Sequence, residues 1–219
     1  MINFAIYGAS GLTGSELAKI LSQHPRVGKL YLAARKAITD LPDHVSYFNL
    51  KIGEIHVPQD VDVVFCCLGT TLKKAGSVEK FREVDHNAVL ELASRVAQKG
   101  IETFVVISSI GANAKSRNYY IRTKGETDEA LLKLKIPNLY IVRPSLIEGK
   151  RSENRIAEKL ASMVLKPLKA IFIGPLRKYR PIKAVSLAKV MAHIAINKHH
   201  CNIIESEEIH KIAQLSENG

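Results

Sequence analysis

The chain has 219 residues, of which 46% are apolar and 24% are charged. This mixture is typical of a soluble globular protein and excludes a disordered or fibrous one. The length suits one compact domain, so we predict a single domain over residues 1–219. The longest uncharged stretches, such as 63–71 and 104–114, are too short for a transmembrane segment.

The formal net charge of +11 predicts a surface that attracts anions: phosphorylated cofactors, nucleic acid or an acidic membrane face. The lysines and arginines are spread along the whole chain, which argues against a dedicated nucleic-acid site. The opening residues Met1-Ile2-Asn3 lack the cationic lead of a signal peptide. We therefore expect a cytoplasmic protein.

The three cysteines, Cys66, Cys67 and Cys201, have neither the number nor the spacing of a disulfide framework or a zinc site. Reduced thiols fit this pattern, and the apolar run around Cys66 and Cys67 favours core packing over reactivity. His199 and His200 precede Cys201, but no second pair of ligands stands near them at a useful spacing. We predict no metal site.

In chain order, short runs rich in Val, Ile, Phe and Tyr alternate with segments of helical period. Parallel strands need crossover helices, so this alternation predicts an α/β fold with a doubly wound parallel sheet, the Rossmann fold. The predicted strands are 2–7, 29–34, 44–49, 61–68, 102–108 and 138–143, and the predicted helices are 12–23, 83–99 and 119–134.

After Pro144 the rhythm changes. A polar stretch at 149–154 leads to a helical pattern from Ile156 to Val164 and then to a section interrupted by prolines. Ser186 is predicted to cap a further helix that ends near Asn197, and 201–205 is predicted to add a short strand. We expect residues 149–219 to include a small C-terminal elaboration on the substrate side of the fold.

Three glycines follow the first predicted strand and open the first predicted helix. Gly8 suits a sharp turn, Gly11 suits a close approach of the backbone to a pyrophosphate, and Gly14 suits close packing of helix on strand. The spacing is G-x-x-G-x-x-G, and such turns also occur for structural reasons, but this position favours a dinucleotide on the helix N-terminus. The predicted phosphate-binding residues are Gly8, Ala9, Ser10, Gly11, Leu12, Thr13 and Gly14.

Two further strand ends carry cofactor signals. Arg35 and Lys36 follow the second predicted strand, where a carboxylate would bind the ribose of NAD and a cation the 2′-phosphate of NADP. The pattern therefore favours NADP(H), with an ordinary basic loop as the alternative. Gly69 ends the fourth strand and would let the backbone lie against the cofactor, beside the hydroxyls of Thr70 and Thr71.

Tyr120 and Lys124 are four residues apart on a predicted helix that follows a strand ending in Ser108 and Ser109. A nearby ammonium lowers the pKa of a phenol, which would make Tyr120 a proton donor in carbonyl reduction, and a serine hydroxyl would hold the substrate oxygen. The same spacing joins Tyr47 to Lys51 and Tyr179 to Lys183, but only the first pair follows a strand that ends in serines. Asn87 has two readings, a member of a proton relay or a surface or capping residue.

Together these segments resemble an atypical short-chain dehydrogenase/reductase. The resemblance is strongest to the Tat-interacting-protein group, whose human member is also called an oxidoreductase and metastasis suppressor. The motifs that carry the resemblance are 8–14, Phe65 to Thr71, Ser108 to Ala112, Tyr120 to Glu126 and Arg143-Pro144. The resemblance implies NADPH binding by the glycine turn, Arg35, Leu68, Gly69, Tyr120, Lys124 and the segment Pro144-Ser145-Leu146, with Tyr120 as proton acceptor. It also implies that some members act as cofactor-dependent regulators.

Two functions follow from these observations. The first is an NADPH-dependent oxidoreductase that reduces a small carbonyl substrate, or oxidises the alcohol, as a monomer or homodimer. The second is an NADPH-binding regulatory or sensor protein with little turnover that docks a protein partner. The basic, partly apolar segment 155–172 is the candidate docking face, with a helix covering the pocket as its alternative.

Overall fold

The computed structural model describes residues 1–149 and 178–215. The strands are β1 (Ile2–Tyr7), β2 (Val27–Ala34), β3 (Val45–Asn49), β4 (Val63–Cys66), β5 (Thr103–Ile107), β6 (Asn138–Arg143), β7 (Ile147–Glu148), β8 (Ile182–Lys183) and β9 (Ile203–Glu205). The helices are α1 (Leu12–Ser22), α2 (Leu72–Ala75), α3 (Val78–Arg82), α4 (Ala88–Gln98), α5 (Tyr119–Leu131), α6 (Ala184–Asn197) and α7 (Ser206–Leu215), and a π-helical turn at Glu83–Asn87 joins α3 to α4.

Seven of the described strands form one sheet in the order β3-β2-β1-β4-β5-β6-β9. Every pair of neighbours in it is parallel, as crossover helices require. The strand order reverses between β1 and β4, where Tyr7 pairs with Cys66. The predicted doubly wound Rossmann fold is confirmed, and ligands of such sheets bind at the carboxyl ends of the strands beside this reversal.

Alternate residues of the central strands face opposite layers of helices. Phe4, Ile6 and Phe65 lie in one apolar cluster with residues of α1, α6 and α7. Ala5, Val64 and their neighbours lie in the other, with residues of α4. Both faces of the sheet are buried, which explains why these strands read as continuous apolar runs.

Three details differ from the sequence predictions. Helix α6 begins at Ala184 with Lys183 as its N-cap residue, so the predicted cap at Ser186 is wrong by three residues. Helix α7 was not predicted, because its short amphipathic pattern follows β9 without a break. In the predicted helix 83–99, Asp85 is buried while Val84 is half-buried, so the inward face includes a carboxylate.

The helical pattern at 156–164 and the candidate docking segment 155–172 lie outside the described residues. Within 1–149 and 178–215, none of the helices has the length and apolar character needed to cross a bilayer.

Candidate functional site

A cleft of about 1370 Å³ lies at the carboxyl ends of β1, β2 and β4, where the strand order reverses. The start of α1 forms one wall, and Gly149 and Lys183 contribute to another. The volume exceeds the roughly 300–1,000 Å³ of ordinary small-molecule pockets. The predicted cofactor residues that line the cleft are Gly8, Ser10, Gly11, Leu12, Arg35, Lys36, Leu68, Gly69 and Thr70.

The glycine turn has no room for a side chain at Gly8. Gly8 has φ +86°, and a Cβ there would lie 2.6 Å from the carbonyl oxygen of Cys67. Gly11 caps α1 with its backbone alone, so the first amides of the helix have no side-chain partner at the cap. Ala9, Thr13 and Gly14 are buried behind the turn and support it rather than line the cleft.

Positive charge is concentrated where β2 ends. Arg35 and Lys36 are both exposed there and line the cleft. The first carboxylate after them in the chain is Asp40. Glu16 and Glu148 also contribute to the lining, so the cleft is not uniformly positive.

A buried carboxylate connects the cleft to the helix that carries Tyr120. Asp85, in the π-helical turn, accepts a hydrogen bond from the backbone N–H of Thr70 at 2.7 Å. Its other oxygen lies 2.8 Å from Nζ of Lys124, and the two side chains are only 2% and 7% exposed. Lys124 also donates to the carbonyl oxygen of Ile107 at 3.4 Å. The ammonium is thus held in a buried ion pair at the end of β5, and Lys124 is not among the described residues that line the cleft.

Tyr120 is 40% exposed, and its ring lies 5.7 Å from that of Phe81. The phenol contributes to the electrostatic environment of Lys124, one helical turn away. The neighbouring Tyr119 is held differently, because its hydroxyl donates to the carbonyl oxygen of Val78 at 2.8 Å. One of the other two Tyr–Lys pairs is Tyr47 with Lys51. The Tyr47 hydroxyl donates to the carbonyl oxygen of Ala34 within the sheet.

Ser108 and Ser109 are buried just past β5. Ser108 lies beside Asp128, whose pKa is raised by burial, while the Ser108 hydroxyl and the Arg143 guanidinium oppose that rise. Arg143 holds Asp128 at 2.9 Å and also contacts Glu205 at 2.8 Å. Neither serine is among the described cleft-lining residues. Ser108 therefore faces a structural ion-pair cluster in this arrangement.

The segment Pro144-Ser145-Leu146 runs beside the C-terminal part of the chain. The carbonyl oxygen of Pro144 accepts from the backbone N–H of Ile110 at 2.9 Å, and Ser145 donates to the carbonyl oxygen of Arg180. Leu146 is exposed. None of the three residues is among the described residues that line the cleft.

The thiols next to the cleft are shielded. Burial raises the pKa of Cys66 to about 12, and burial also raises the pKa of Cys67, which lines the cleft. Among residues 1–149 and 178–215 we find no cluster of His, Cys, Asp and Glu that could hold a metal ion.

Sequence reasoning missed Asp85 and considered Asn87, which is exposed. One signal was available. Asp85 follows Phe81 by four residues and precedes Leu92 by seven, and both of those are fully buried. A carboxylate on the apolar face of a helix requires a buried partner, and Lys124 provides it.

A family model described as the NAD-binding domain of semialdehyde dehydrogenases matches residues 3–115. Among curated proteins, the mitochondrial protein FMP52 of Debaryomyces hansenii is 31% identical over 202 residues, covering 87% of this chain and 86% of that protein. The mitochondrial FMP52 of Kluyveromyces lactis is 29% identical over 231 residues and covers 97% and 99% of the two chains.

Solved structures share the fold at low sequence identity. UDP-glucuronic acid 4-epimerase from Bacillus cereus in complex with NAD superposes with a TM-score of 0.67 at 12% identity, over 93% of this chain and 77% of that one. The oxidoreductase ylbE from Lactococcus lactis superposes with a TM-score of 0.65 at 13% identity, over 100% and 98%. The finer grouping with the Tat-interacting proteins stays a prediction.

The expected cytoplasmic location is contradicted by these relatives, since FMP52 proteins from several yeasts are named mitochondrial. Composition and reduced cysteines do not separate the two compartments, because both hold soluble proteins with free thiols. The match over residues 3–115 and the 31% identity over most of the chain lead to one assignment. The chain has an NAD(P)-binding Rossmann fold of the oxidoreductase type and belongs to the FMP52 family, with a semialdehyde dehydrogenase NAD-binding domain in its first half.

Proposed function

We propose that this protein is an NADP(H)-dependent oxidoreductase that reduces a small carbonyl compound, with Tyr120 and Lys124 as its proton-transfer pair. The observation that carries the proposal is the cleft at the strand reversal, which joins the glycine turn, the cationic end of β2 and, through Asp85, the helix of Tyr120. The chemistry of each part fits a dinucleotide site.

The residues present fit a dinucleotide. A Cβ at Gly8 would clash with the carbonyl oxygen of Cys67, so this position carries no side chain. A phosphate can therefore approach the backbone of the turn. The amides at the start of α1 and the helix dipole favour an anion there. Gly69 also lines the cleft, and its lack of a side chain leaves room for a ligand there.

Arg35 supports NADP(H) over NAD(H). A guanidinium at the end of β2 can form two charge-assisted hydrogen bonds to a phosphate, and Lys36 adds a second positive charge. No carboxylate takes the ribose-binding position at the end of this strand, where Arg35 and Lys36 stand.

The chemistry assigned to the chain is proton transfer. When bound, the nicotinamide cofactor supplies the hydride. The Tyr120 phenol donates its proton to the carbonyl oxygen as negative charge develops there, and the Lys124 ammonium favours the phenolate that remains. Of the two serines, Ser109 is assigned to hold the substrate oxygen, because Ser108 faces the ion pair of Asp128 and Arg143.

The family model describes a semialdehyde dehydrogenase domain, which suggests aldehyde oxidation through a thiol adduct. The described residues support this reaction less well than carbonyl reduction. Such a reaction needs a reactive thiolate. The chain has three cysteines. Burial raises the pKa of Cys66 and of Cys67, and Cys201 precedes β9, at the amino edge of the sheet, opposite the cleft. Carbonyl reduction without a covalent adduct is therefore the better assignment.

The decisive experiment is a fluorescence titration with NADPH and with NADH, followed by a panel of aldehydes and ketones with NADPH. We expect tighter binding of NADPH and oxidation of NADPH by at least one carbonyl compound. Binding without turnover across the panel would favour the regulatory alternative. Absence of nucleotide binding would contradict both functions.

The mitochondrial names of the FMP52 relatives support a mitochondrial location for this protein as well. Cell fractionation with protease protection tests it. We expect the protein to co-sediment with mitochondria and to resist protease until the membranes are opened.

A further inference from the structure

Asp85 uses both carboxylate oxygens for different elements of the fold. One accepts from the backbone N–H of Thr70 at 2.7 Å, and the other lies 2.8 Å from Nζ of Lys124. Thr70 lines the cleft, and Lys124 belongs to the helix of Tyr120. A single buried side chain therefore connects the wall of the cofactor cleft to the proposed proton-transfer pair.

The backbone around Asp85 is built to hold it in place. The turn Glu83–Asn87 is π-helical, and the N–H of Ala88 bonds to the carbonyl oxygen of Glu83. The carbonyl oxygen of Asp85 accepts from Thr127 Oγ1 at 3.2 Å, across the contact with α5. Single π-helical turns inside helices are frequent at functional sites.

Lys124 is surrounded by groups that act on its charge. Those that face it are Asp85, Tyr120 on its own helix, Cys66 at the end of β4, and Asp128 one turn further along α5. Burial alone would disfavour the ammonium, but attraction by Asp85, with smaller contributions from Tyr120 and Cys66, outweighs burial and raises the pKa of Lys124.

We propose that Asp85 is a positioning residue: it holds the Lys124 ammonium one helical turn from Tyr120 and fixes the Thr70 turn against which NADP(H) binds. Its effect on nucleotide binding rests on the proposed function. Its effect on the charge of Lys124 does not. The two are therefore tested separately.

The first experiment measures thermal unfolding of Asp85→Asn between pH 7 and pH 9.5. Without the carboxylate, burial depresses the pKa of Lys124 in the folded state below its unfolded value, so the unfolded chain binds more protons. The contribution of Lys124 to the stability of the Asp85→Asn variant therefore rises with pH. The difference in Tm between the variant and the wild type should shrink toward pH 9.5. Adding Lys124→Met to this variant should remove the pH dependence.

Glu126→Gln is the matched control, because Glu126 of α5 pairs with Arg82, the last residue of α3 before the π-helical turn, and neither residue lines the cleft. Its difference in Tm from the wild type should be constant over the same pH range. A constant difference for Asp85→Asn as well would overturn the role of Asp85 in holding Lys124 charged.

The second experiment is a fluorescence titration with NADPH at pH 7.5. We expect Asp85→Asn to bind at least tenfold more weakly than the wild type, and Glu126→Gln to bind within threefold of it. Binding by Asp85→Asn within threefold of the wild type would overturn its role at the cleft. If the wild type itself binds no NADPH, the proposed function fails, while the unfolding experiment still decides the role of Asp85 toward Lys124.

Discussion

The carbonyl oxygen of Gly8 lies where the side chain of any other residue at position 14 would begin, 2.3 Å from an ideal Cβ on Gly14. This contact fixes how closely α1 approaches the end of β1, and so where the first helical amides lie in the cleft wall.

Gly14→Ala should therefore destabilise the fold. The added methyl group meets backbone atoms that cannot rotate away, and overpacking of this kind costs about 1–3 kcal/mol. Urea unfolding measures the change.

Gly69→Ala is the informative comparison, because its Cβ would meet only a carboxylate oxygen of Asp85, at 3.4 Å. We expect its unfolding free energy to change by about 0.5 kcal/mol or less, as for a tolerated surface substitution. Its affinity for NADPH should fall, since the methyl group enters the cleft. Equal loss of stability in both variants would contradict the separate roles assigned to the two glycines.

Tyr120→Phe should lower carbonyl turnover by about 100- to 10,000-fold, the range for removing a general acid. The affinity for NADPH should change by less than about threefold, because the aromatic ring and its contact with Phe81 are retained. Steady-state oxidation of NADPH and a fluorescence titration measure the two effects.

Tyr119→Phe is the matched control, since it removes a phenol from the adjacent position of the same helix. That hydroxyl bonds to the carbonyl oxygen of Val78, so its loss should cost stability of about 1 kcal/mol with little effect on turnover. Comparable turnover in the two variants would refute Tyr120 as the proton donor.

Arg35→Ala should weaken NADPH binding by roughly 10- to 100-fold, which corresponds to the loss of about 1.5–3 kcal/mol from a charged hydrogen bond. Binding of NADH should be unchanged, because it has no 2′-phosphate. Lys99→Ala serves as the control, since Lys99 is an exposed cation at the end of α4, at the amino edge of the sheet. A parallel loss of NADH affinity in Arg35→Ala would contradict a specific phosphate contact.

Arg143→Met should destabilise the protein by about 3–5 kcal/mol at neutral pH, because it leaves the buried carboxylate of Asp128 without its cation. The pKa of Asp128 is already raised by burial, and removing the guanidinium that opposes this rise should raise it further. The unfolded chain then binds fewer protons than the folded one between the two pKa values, so stability falls as pH rises.

The loss in Arg143→Met should accordingly shrink as the pH is lowered from 8 to 5, because Asp128 becomes protonated. Urea unfolding at several pH values measures it. Lys211→Met, which removes an exposed ion pair with Glu208, should change stability by less than about 0.5 kcal/mol at every pH. A loss in Arg143→Met that does not vary with pH would show that the methionine disturbs packing rather than charge.

The sequence by itself determined the fold, and it singled out the glycine turn that lines the cleft at the strand reversal. Continuous apolar runs such as Val63–Cys66 require a sheet buried on both faces, and the alternation with helices makes that sheet parallel. Glycines at the end of the first strand then predict a tight turn without side chains, where the backbone can approach a ligand closely. These signals are local, so one chain read in order was enough to predict them.

Only the tertiary structure decided the environment of Lys124 and of the serines. Asp85 meets Lys124 across 39 positions of sequence, and Asp128 meets Arg143 by the return of α5 onto β6. No local pattern encodes which buried charges become partners, because helix packing brings them together. The sequence supplied the charged groups, and desolvation in the packed core turned them into fixed pairs.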